Sequence, residues 1–218
     1  MNRYFRVAPI IILFAILIPS AQADTEIASD NATRQRGANI ALQVCSACHD
    51  LKYVKFRHLA GIGFTAKELD EMRGDHSLDD AMLSMMSADD RKEMYGLVPP
   101  DLSLMAEARR GKAQYIYNML TGFYLTPEGE IDNHAFPGIR MPDILGISTA
   151  DDPESRKEIE AQAHDVAAFL AWTADPSIDE RHRLAPYVLG YLVLMTLLLY
   201  LMKRRIWARF HNKPVEFE

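Results

Sequence analysis

The sequence contains the stretch Cys45-Ser46-Ala47-Cys48-His49, and this stretch decides how the rest of the chain is interpreted. Two thiols three positions apart, followed directly by a histidine, form the attachment signature of a c-type haem. Each sulfur adds to one vinyl group of the porphyrin, and the adjacent imidazole becomes an axial ligand of the iron. The chain has only 2 cysteines in 218 residues, so we expect one covalently attached haem c.

Two other kinds of site use the Cys-x-x-Cys spacing: redox-active dithiols and half of a tetrahedral zinc site. The dithiol interpretation lacks a thioredoxin-like βαβ pattern around the motif. The zinc interpretation lacks a second ligand pair at a recognised spacing. Both alternatives are therefore weaker than haem attachment.

Residues 1–23 have the pattern of a secretory signal peptide. Two arginines precede an apolar run over residues 7–18, and Ala21-Gln22-Ala23 fits a small-residue cleavage site. The apolar run is short for a membrane crossing, and an uncleaved anchor is the alternative. We therefore expect a mature chain that begins at Asp24 in an oxidising compartment, most simply a bacterial periplasm.

A second apolar segment near the C-terminus predicts a membrane anchor. Residues 184–202 contain no charged side chain and are long enough for one bilayer crossing. The alternative, a buried helix of a soluble domain, fits poorly with the basic cluster that follows directly. By the positive-inside rule, residues 203–218 lie in the cytoplasm and the domain formed by residues 24–183 lies in the periplasm. The predicted location is thus a bacterial inner membrane, in contact with lipid and crossed once.

The net charge of the chain limits the classes of partner that it could bind. The whole sequence has 24 Lys+Arg and 30 Asp+Glu. Without the two arginines of residues 1–23 and the five basic and two acidic residues of 203–218, 17 basic and 28 acidic residues remain, a balance of about −11. This balance argues against nucleic-acid binding, which needs a basic face. It suits a basic soluble partner attracted over long range, and plain solubility is the alternative explanation.

The patterns between the two ends predict a mainly α-helical domain without sustained strand alternation. Helix N-caps, capping boxes and glycine or proline stops mark the expected boundaries. A loop is expected over residues 126–142, where no apolar period is present. The predicted helices run from a cap at Asn31 or Thr33 into the cysteine motif, from Ser77 with Asp80 as a capping box to Met94, from a cap at Asp101 over Leu102 to Arg109, from Ala113 to Leu120 before Gly122, and from a cap at Asp152 to beyond Trp172.

The sixth position on the iron needs a second ligand if the haem carries electrons, and a thioether there raises the reduction potential. Met141 is the main candidate because it lies in the irregular segment 136–142 and is not needed for packing on the face of a predicted helix. Met94, near a predicted helix end, is its rival. Five further methionines fit core packing on helices, and four histidines fit surface or satisfied positions. These are Met82, Met85, Met86, Met105 and Met119, and His58, His76, His134 and His164.

Several short sequence segments, here called blocks, occur in the same order as in cytochrome c1, which this chain resembles. Cytochrome c1 is the membrane-anchored haem subunit of the cytochrome bc1 complex, also called ubiquinol–cytochrome c reductase. Each block alone is weak, and together they are specific. The region before the double proline is compact, whereas family members often carry an acidic insertion there. The blocks are 44–49 with Tyr53-Val54-Lys55-Phe56-Arg57-His58-Leu59, Pro99-Pro100-Asp101-Leu102-Ser103 with Ala108-Arg109, Leu120-Thr121-Gly122-Phe123-Tyr124, Asp165-Val166-Ala167-Ala168-Phe169-Leu170-Ala171-Trp172 and Met202-Lys203-Arg204.

The resemblance implies a class I cytochrome c-like haem domain with one C-terminal transmembrane helix. It implies His49 and Met141 as axial ligands, and a Pro100 segment that packs on the haem. It also implies that Arg109 and Tyr115 bond to a haem propionate, a role for which a forked guanidinium is suited. From the residues alone, an exposed arginine at a helix end is the favoured interpretation of Arg109.

The resemblance also implies an electron-transfer role. Electrons would come from the Rieske iron–sulfur protein and go to a cytochrome c, while quinol oxidation belongs to the neighbouring cytochrome b. The chain would then be a redox subunit, not a catalyst by itself. Two other classes stay open from the motif and anchor alone: a tethered cytochrome c of another respiratory complex such as a terminal oxidase, and a haem enzyme or gas sensor with an open iron position.

Overall fold

The computed structural model describes residue 27 and residues 30–211, so the predicted signal peptide lies outside the described residues. The chain divides into two compact units, residues 1–174 and residues 175–218. The first unit is mainly helical, with short strands and 3₁₀ turns between the helices. Its helices are α1 (Asn31–Gln43), α2 (Ala66–Arg73), α3 (Ala88–Tyr95), α4 (Met105–Ala108), α5 (Lys112–Thr121) and α6 (Pro153–Ala174), and its 3₁₀ helices are Cys45–Ala47, Phe56–Ile62 and Ile147–Thr149.

The core of the first unit is built on the crossing of α1 and α6. Gly37 of α1 lies so close to α6 that a Cβ there would stand 2.0 Å from the backbone oxygen of Asp165. Beside this crossing, Arg36 binds the Asp165 carboxylate with its Nε at 2.6 Å and its Nη2 at 2.9 Å. The crossing joins the helix that leads into the cysteine motif to the last helix of the unit.

Helix α6 begins as the sequence predicts. The Asp152 carboxylate accepts hydrogen bonds from the backbone N–H groups of Glu154 and Ser155, and Pro153 is the first helical residue. Its inner face is buried through Val166, Phe169 and Trp172 among others. Helix α1 begins differently from the prediction, because Asp30 is its N-cap and accepts from the Thr33 N–H at 2.7 Å.

The predicted helix from Ser77 to Met94 is wrong in its first half. The Ser77 N–H donates to the Asp80 carboxylate and the Asp80 N–H donates to the Ser77 carbonyl, which closes a turn in place of a helix. The chain then forms a short strand, and helix α3 begins only at Ala88, capped by Ser87. Met85, expected on a packed helix face, is 98% exposed.

Four short strands were not predicted. Strand β1 (Leu51–Lys55) pairs antiparallel with β2 (Ala81–Met82), and β3 (Phe123–Leu125) pairs antiparallel with β4 (Ile131–Asn133). Strand β4 lies inside the segment 126–142 that was expected to be a loop. Strands of two to five residues are too short for an alternation of apolar and polar residues to be recognised.

The predicted helix from Leu102 to Arg109 is also too long, since α4 covers only Met105–Ala108. Asp101 does not cap it, because its carboxylate accepts hydrogen bonds from the N–H groups of Ser103 and Lys52. The next helix, α5, ends at Gly122 as the sequence predicts.

The second unit contains α7 (Ile178–His211), which begins six positions before the predicted anchor and includes all of residues 184–202. Within the described residues it is the one helix long and apolar enough to cross a membrane. The prediction of a mainly helical domain with one long apolar C-terminal helix is thus confirmed.

The α1–α6 crossing generates a stability prediction. Gly37→Ala should lower the free energy of unfolding by about 1–3 kcal/mol, because the new methyl group overlaps the α6 backbone and forces the helices apart. The measurement is urea unfolding of the full-length holo-protein in detergent. Gly61→Ala is the matched control, since its Cβ meets only the Trp172 ring at 3.9 Å. Equal stability of the two variants would contradict the proposed packing.

Candidate haem-binding site

One apolar cavity of about 300 Å³ lies in the first unit, between the cysteine motif and the segment around Met141. All seven residues that the sequence analysis singled out lie on its wall, although they come from widely separated parts of the chain. They are Cys45, Cys48, His49, Pro100, Arg109, Tyr115 and Met141. The remaining wall is largely apolar and comes mainly from Val44, Leu97, Leu102, Met105, Ile116, Met119, Leu120, Phe136, Ile139, Ile144, Val166 and Leu170.

The cysteine motif forms a tight helical turn after α1. The N–H groups of Cys48 and His49 both donate to the Cys45 carbonyl, at 3.1 and 2.9 Å. This turn brings the two thiols and the imidazole to one side of the cavity. Burial raises the pKa of the Cys45 thiol to about 11, so at neutral pH it is a protonated thiol, unlike the thiolate of a reactive redox cysteine.

The His49 imidazole is oriented by the backbone. Its Nδ1 lies 2.7 Å from the Pro100 carbonyl oxygen, so Nδ1–H donates and Nε2 keeps its lone pair. Burial lowers the pKa of His49, although the Pro100 carbonyl opposes that shift. A neutral imidazole held through its second nitrogen is the form that ligates metals. This use of the Pro100 carbonyl was not predicted.

Met141 lies on the cavity wall and is half-buried against the core. Its rival Met94 is 64% exposed and is not part of that wall. None of the four candidate histidines lines the cavity either: these are His58, His76, His134 and His164. Two methionines expected to pack in the core, Met105 and Met119, lie on the wall as well. The geometry thus favours Met141 over Met94 as a ligand and leaves two further thioethers at the site.

Arg109 and Tyr115 stand on either side of the turn between α4 and α5. Arg109 is exposed, and its Nη1 donates to the Ala108 carbonyl at 3.3 Å. The left-handed Gly111, with φ of +88°, makes the turn that brings α5 and Tyr115 back to the cavity. Arg109 and Tyr115 thus bring a cation and a phenol to a largely apolar wall, which also carries Tyr95 and Arg140. A cation and a phenol are groups that can bind a propionate.

Sequence reasoning missed a buried ion pair behind the motif. Arg91 of α3 binds the Asp50 carboxylate with Nη2 at 3.1 Å and the Cys48 carbonyl with Nη1 at 2.8 Å. Both charged side chains are less than 10% exposed. Desolvation opposes ionisation of Asp50, but the Ser84 N–H and Arg91 outweigh it, so the pKa of Asp50 is below its usual value. No local pattern distinguished Arg91 from the other charges of α3.

The Tyr95 hydroxyl is a second contact that was missed, at 3.2 Å from the Cys48 sulfur. It comes from the same helix as Arg91. Together, the two side chains of α3 reach both the backbone and the sulfur of Cys48.

Known proteins similar to this chain agree with the resemblance found in the sequence. A profile of the Cytochrome C1 family matches residues 24–95 and 77–210. The chain belongs to the cytochrome c1 family. Cytochrome c1 of Allochromatium vinosum is 30% identical over 84% of this chain and 86% of its own length. A cytochrome b-c1 complex catalytic subunit of Candida albicans is 29% identical over 87% of this chain and 76% of its own length.

A longer protein of Bradyrhizobium diazoefficiens named cytochrome b/c1 is 30% identical to this chain, over 84% of the chain and 34% of that protein. The predicted family and fold class are confirmed by these matches. Cytochromes c1 are haem proteins, so this chain carries covalently bound haem c.

The residues at the cavity fit that group. They supply two thiols, a neutral imidazole with one nitrogen left to ligate, a thioether and an apolar enclosure. In the part of the chain that the structure describes, no group of three or more His, Cys, Asp and Glu side chains could hold a metal ion.

The buried ion pair generates a second prediction. Arg91→Met should destabilise the holo-protein by about 3–5 kcal/mol, because it removes the buried cation that pairs with Asp50. Among the described residues, the buried carboxylate then keeps only the Ser84 N–H and the exposed Lys52 ammonium, 3.6 Å away. Urea unfolding measures the change. Lys67→Met, which breaks an exposed pair with Glu71, is the matched control and should stay within about 0.5 kcal/mol of the parent. A small effect of Arg91→Met would show that the pair does not brace the motif.

Proposed function

We propose that this chain is the haem subunit of a cytochrome bc1 complex, where it passes single electrons from the Rieske iron–sulfur protein to a c-type cytochrome. The observation that carries the proposal is the cavity on whose wall the Cys45–His49 motif and Met141 lie together. The names of the relatives support the assignment, since one is a b-c1 complex subunit and another joins cytochromes b and c1 in one chain.

Each side chain of the site has a defined task in this proposal. Cys45 and Cys48 hold the group covalently, and His49, fixed through Pro100, presents Nε2 to the iron. Met141 supplies a soft thioether from the other wall, which favours the reduced state. When bound, haem c supplies the one-electron redox couple. If His49 and Met141 both ligated the iron, no position would be left for oxygen or peroxide, and the chain would act as an electron carrier.

Partners follow from the charge and the anchor. Cytochrome b is the permanent neighbour and the subunit that oxidises quinol. The acidic balance of residues 24–183 attracts a basic cytochrome c, with an association rate that falls as salt rises. That encounter should be small and brief, as is usual for electron-transfer contacts.

The proposed location is a bacterial inner membrane crossed once. Residues 1–23 act as the signal peptide, residues 24–183 lie in the periplasm, residues 184–202 span the bilayer, and residues 203–218 lie in the cytoplasm. Two facts support this orientation: α7 is apolar enough to span, and a basic cluster follows the apolar run directly.

The ligand assignment has a spectroscopic test. Met141→Leu should abolish the charge-transfer band at the red end of the oxidised spectrum and lower the reduction potential, because the thioether is lost. Carbon monoxide should then bind to the reduced variant at neutral pH. Met94→Leu is the matched control and should change neither property, since Met94 lies off the cavity wall. An unchanged Met141→Leu spectrum would place the ligand elsewhere.

The complex has a biochemical test. The full-length chain, purified from native membranes through a tag on its C-terminus, should bring down cytochrome b and a Rieske protein in fixed ratio. Haem staining of the denatured gel should mark this chain, because the attachment is covalent. Recovery of terminal-oxidase subunits in place of cytochrome b would overturn the proposed complex and favour the other tethered carrier.

A further inference from the structure

Helix α3 is held against the haem-attachment peptide at one point along its length. Arg91 reaches the Cys48 carbonyl and the buried Asp50 carboxylate with the same guanidinium. Tyr95 follows Arg91 by four positions, so both side chains lie on the same face of the helix. The contacts of Arg91 therefore hold against Cys48 and Asp50 the same helical face that carries Tyr95.

The Tyr95 hydroxyl lies 3.2 Å from the Cys48 sulfur, within hydrogen-bonding distance. A free thiol and a phenol could each donate in such a pair. Once the sulfur is joined to the porphyrin as a thioether it has no hydrogen, so only the phenol can donate. In the holo-protein the hydroxyl dipole therefore has its positive end toward the sulfur.

The other side of Tyr95 is restrained by the segment that contains Met141. Gly96 ends α3 in the left-handed conformation, with φ of +73°. A Cβ at Gly96 would lie 2.6 Å from Nη1 of Arg140, and this nitrogen is 3.5 Å from the Tyr95 carbonyl. Because Gly96 has no side chain, the Arg140 guanidinium has space to approach the C-terminal carbonyls of α3, where a cation is favourable.

We propose that Tyr95 is a positioning residue that raises the reduction potential of the haem by donating a hydrogen bond to the Cys48 sulfur. A donor at the attachment sulfur withdraws electron density from the group it joins and stabilises the reduced state, as hydrogen bonds do around other redox centres. The inference rests on the haem attachment and ligation of the proposed function. It adds a side chain that lies outside the axial ligands and the attachment cysteines.

The test is a redox titration of full-length Tyr95→Phe holo-protein in detergent, followed by its optical spectrum. Removing the hydroxyl should lower the potential, so that the ratio of oxidised to reduced haem at a fixed ambient potential rises about two- to fivefold. Haem staining and the red-edge band should stay as in the parent, because the thioether bonds and the Met141 segment are untouched. This pattern separates the role of Tyr95 from the electron route, which the titration does not involve.

Tyr117→Phe is the matched control, because it removes the same hydroxyl from a half-buried tyrosine that does not line the cavity. It should leave the potential unchanged. Equal potentials for Tyr95→Phe and the parent would overturn the proposal. So would equal shifts in both variants, since the effect would then come from a general change in packing.

Discussion

The backbone around His49 is fixed by contacts from two distant parts of the chain, and the whole site depends on that restraint. The Pro100 carbonyl accepts from the imidazole, and Arg91 binds both the Cys48 carbonyl and the Asp50 carboxylate. The Arg91–Asp50 pair is buried, and an unpaired charge or polar group there is costly. The attachment peptide consequently keeps one conformation, and the free nitrogen of the imidazole keeps one direction.

A site residue could be predicted from the sequence when its partners lie close to it along the chain. The sequence predicts Cys45, Cys48 and His49 as site residues because all three lie within one five-residue motif, and such a spacing is visible locally. Arg91 and Tyr95 were missed because each acts on Cys48 from more than 40 positions away. In a charged helix such as α3, neither residue differs from a solvent-exposed neighbour until the fold brings it against the motif.

The helix boundaries, too, were predicted correctly only where a local signal determines them. The start of α6 was predicted correctly because an Asp152 cap followed by proline is a local signal that few other structures use. The Ser77–Asp80 pair misled because the side-chain bonds that start a helix also close a turn. The pairing of Met82 with Leu51 of β1 then decided between the two, and that contact is not encoded nearby.

His49 and Met141 line the same cavity although they are 92 positions apart in the chain, whereas the haem-attachment motif covers residues 45–49 alone. If the proposed ligands are correct, the peptide that receives the porphyrin is synthesised before the segment that supplies the thioether. Covalent attachment of the haem and completion of its iron coordination would therefore be two separate steps.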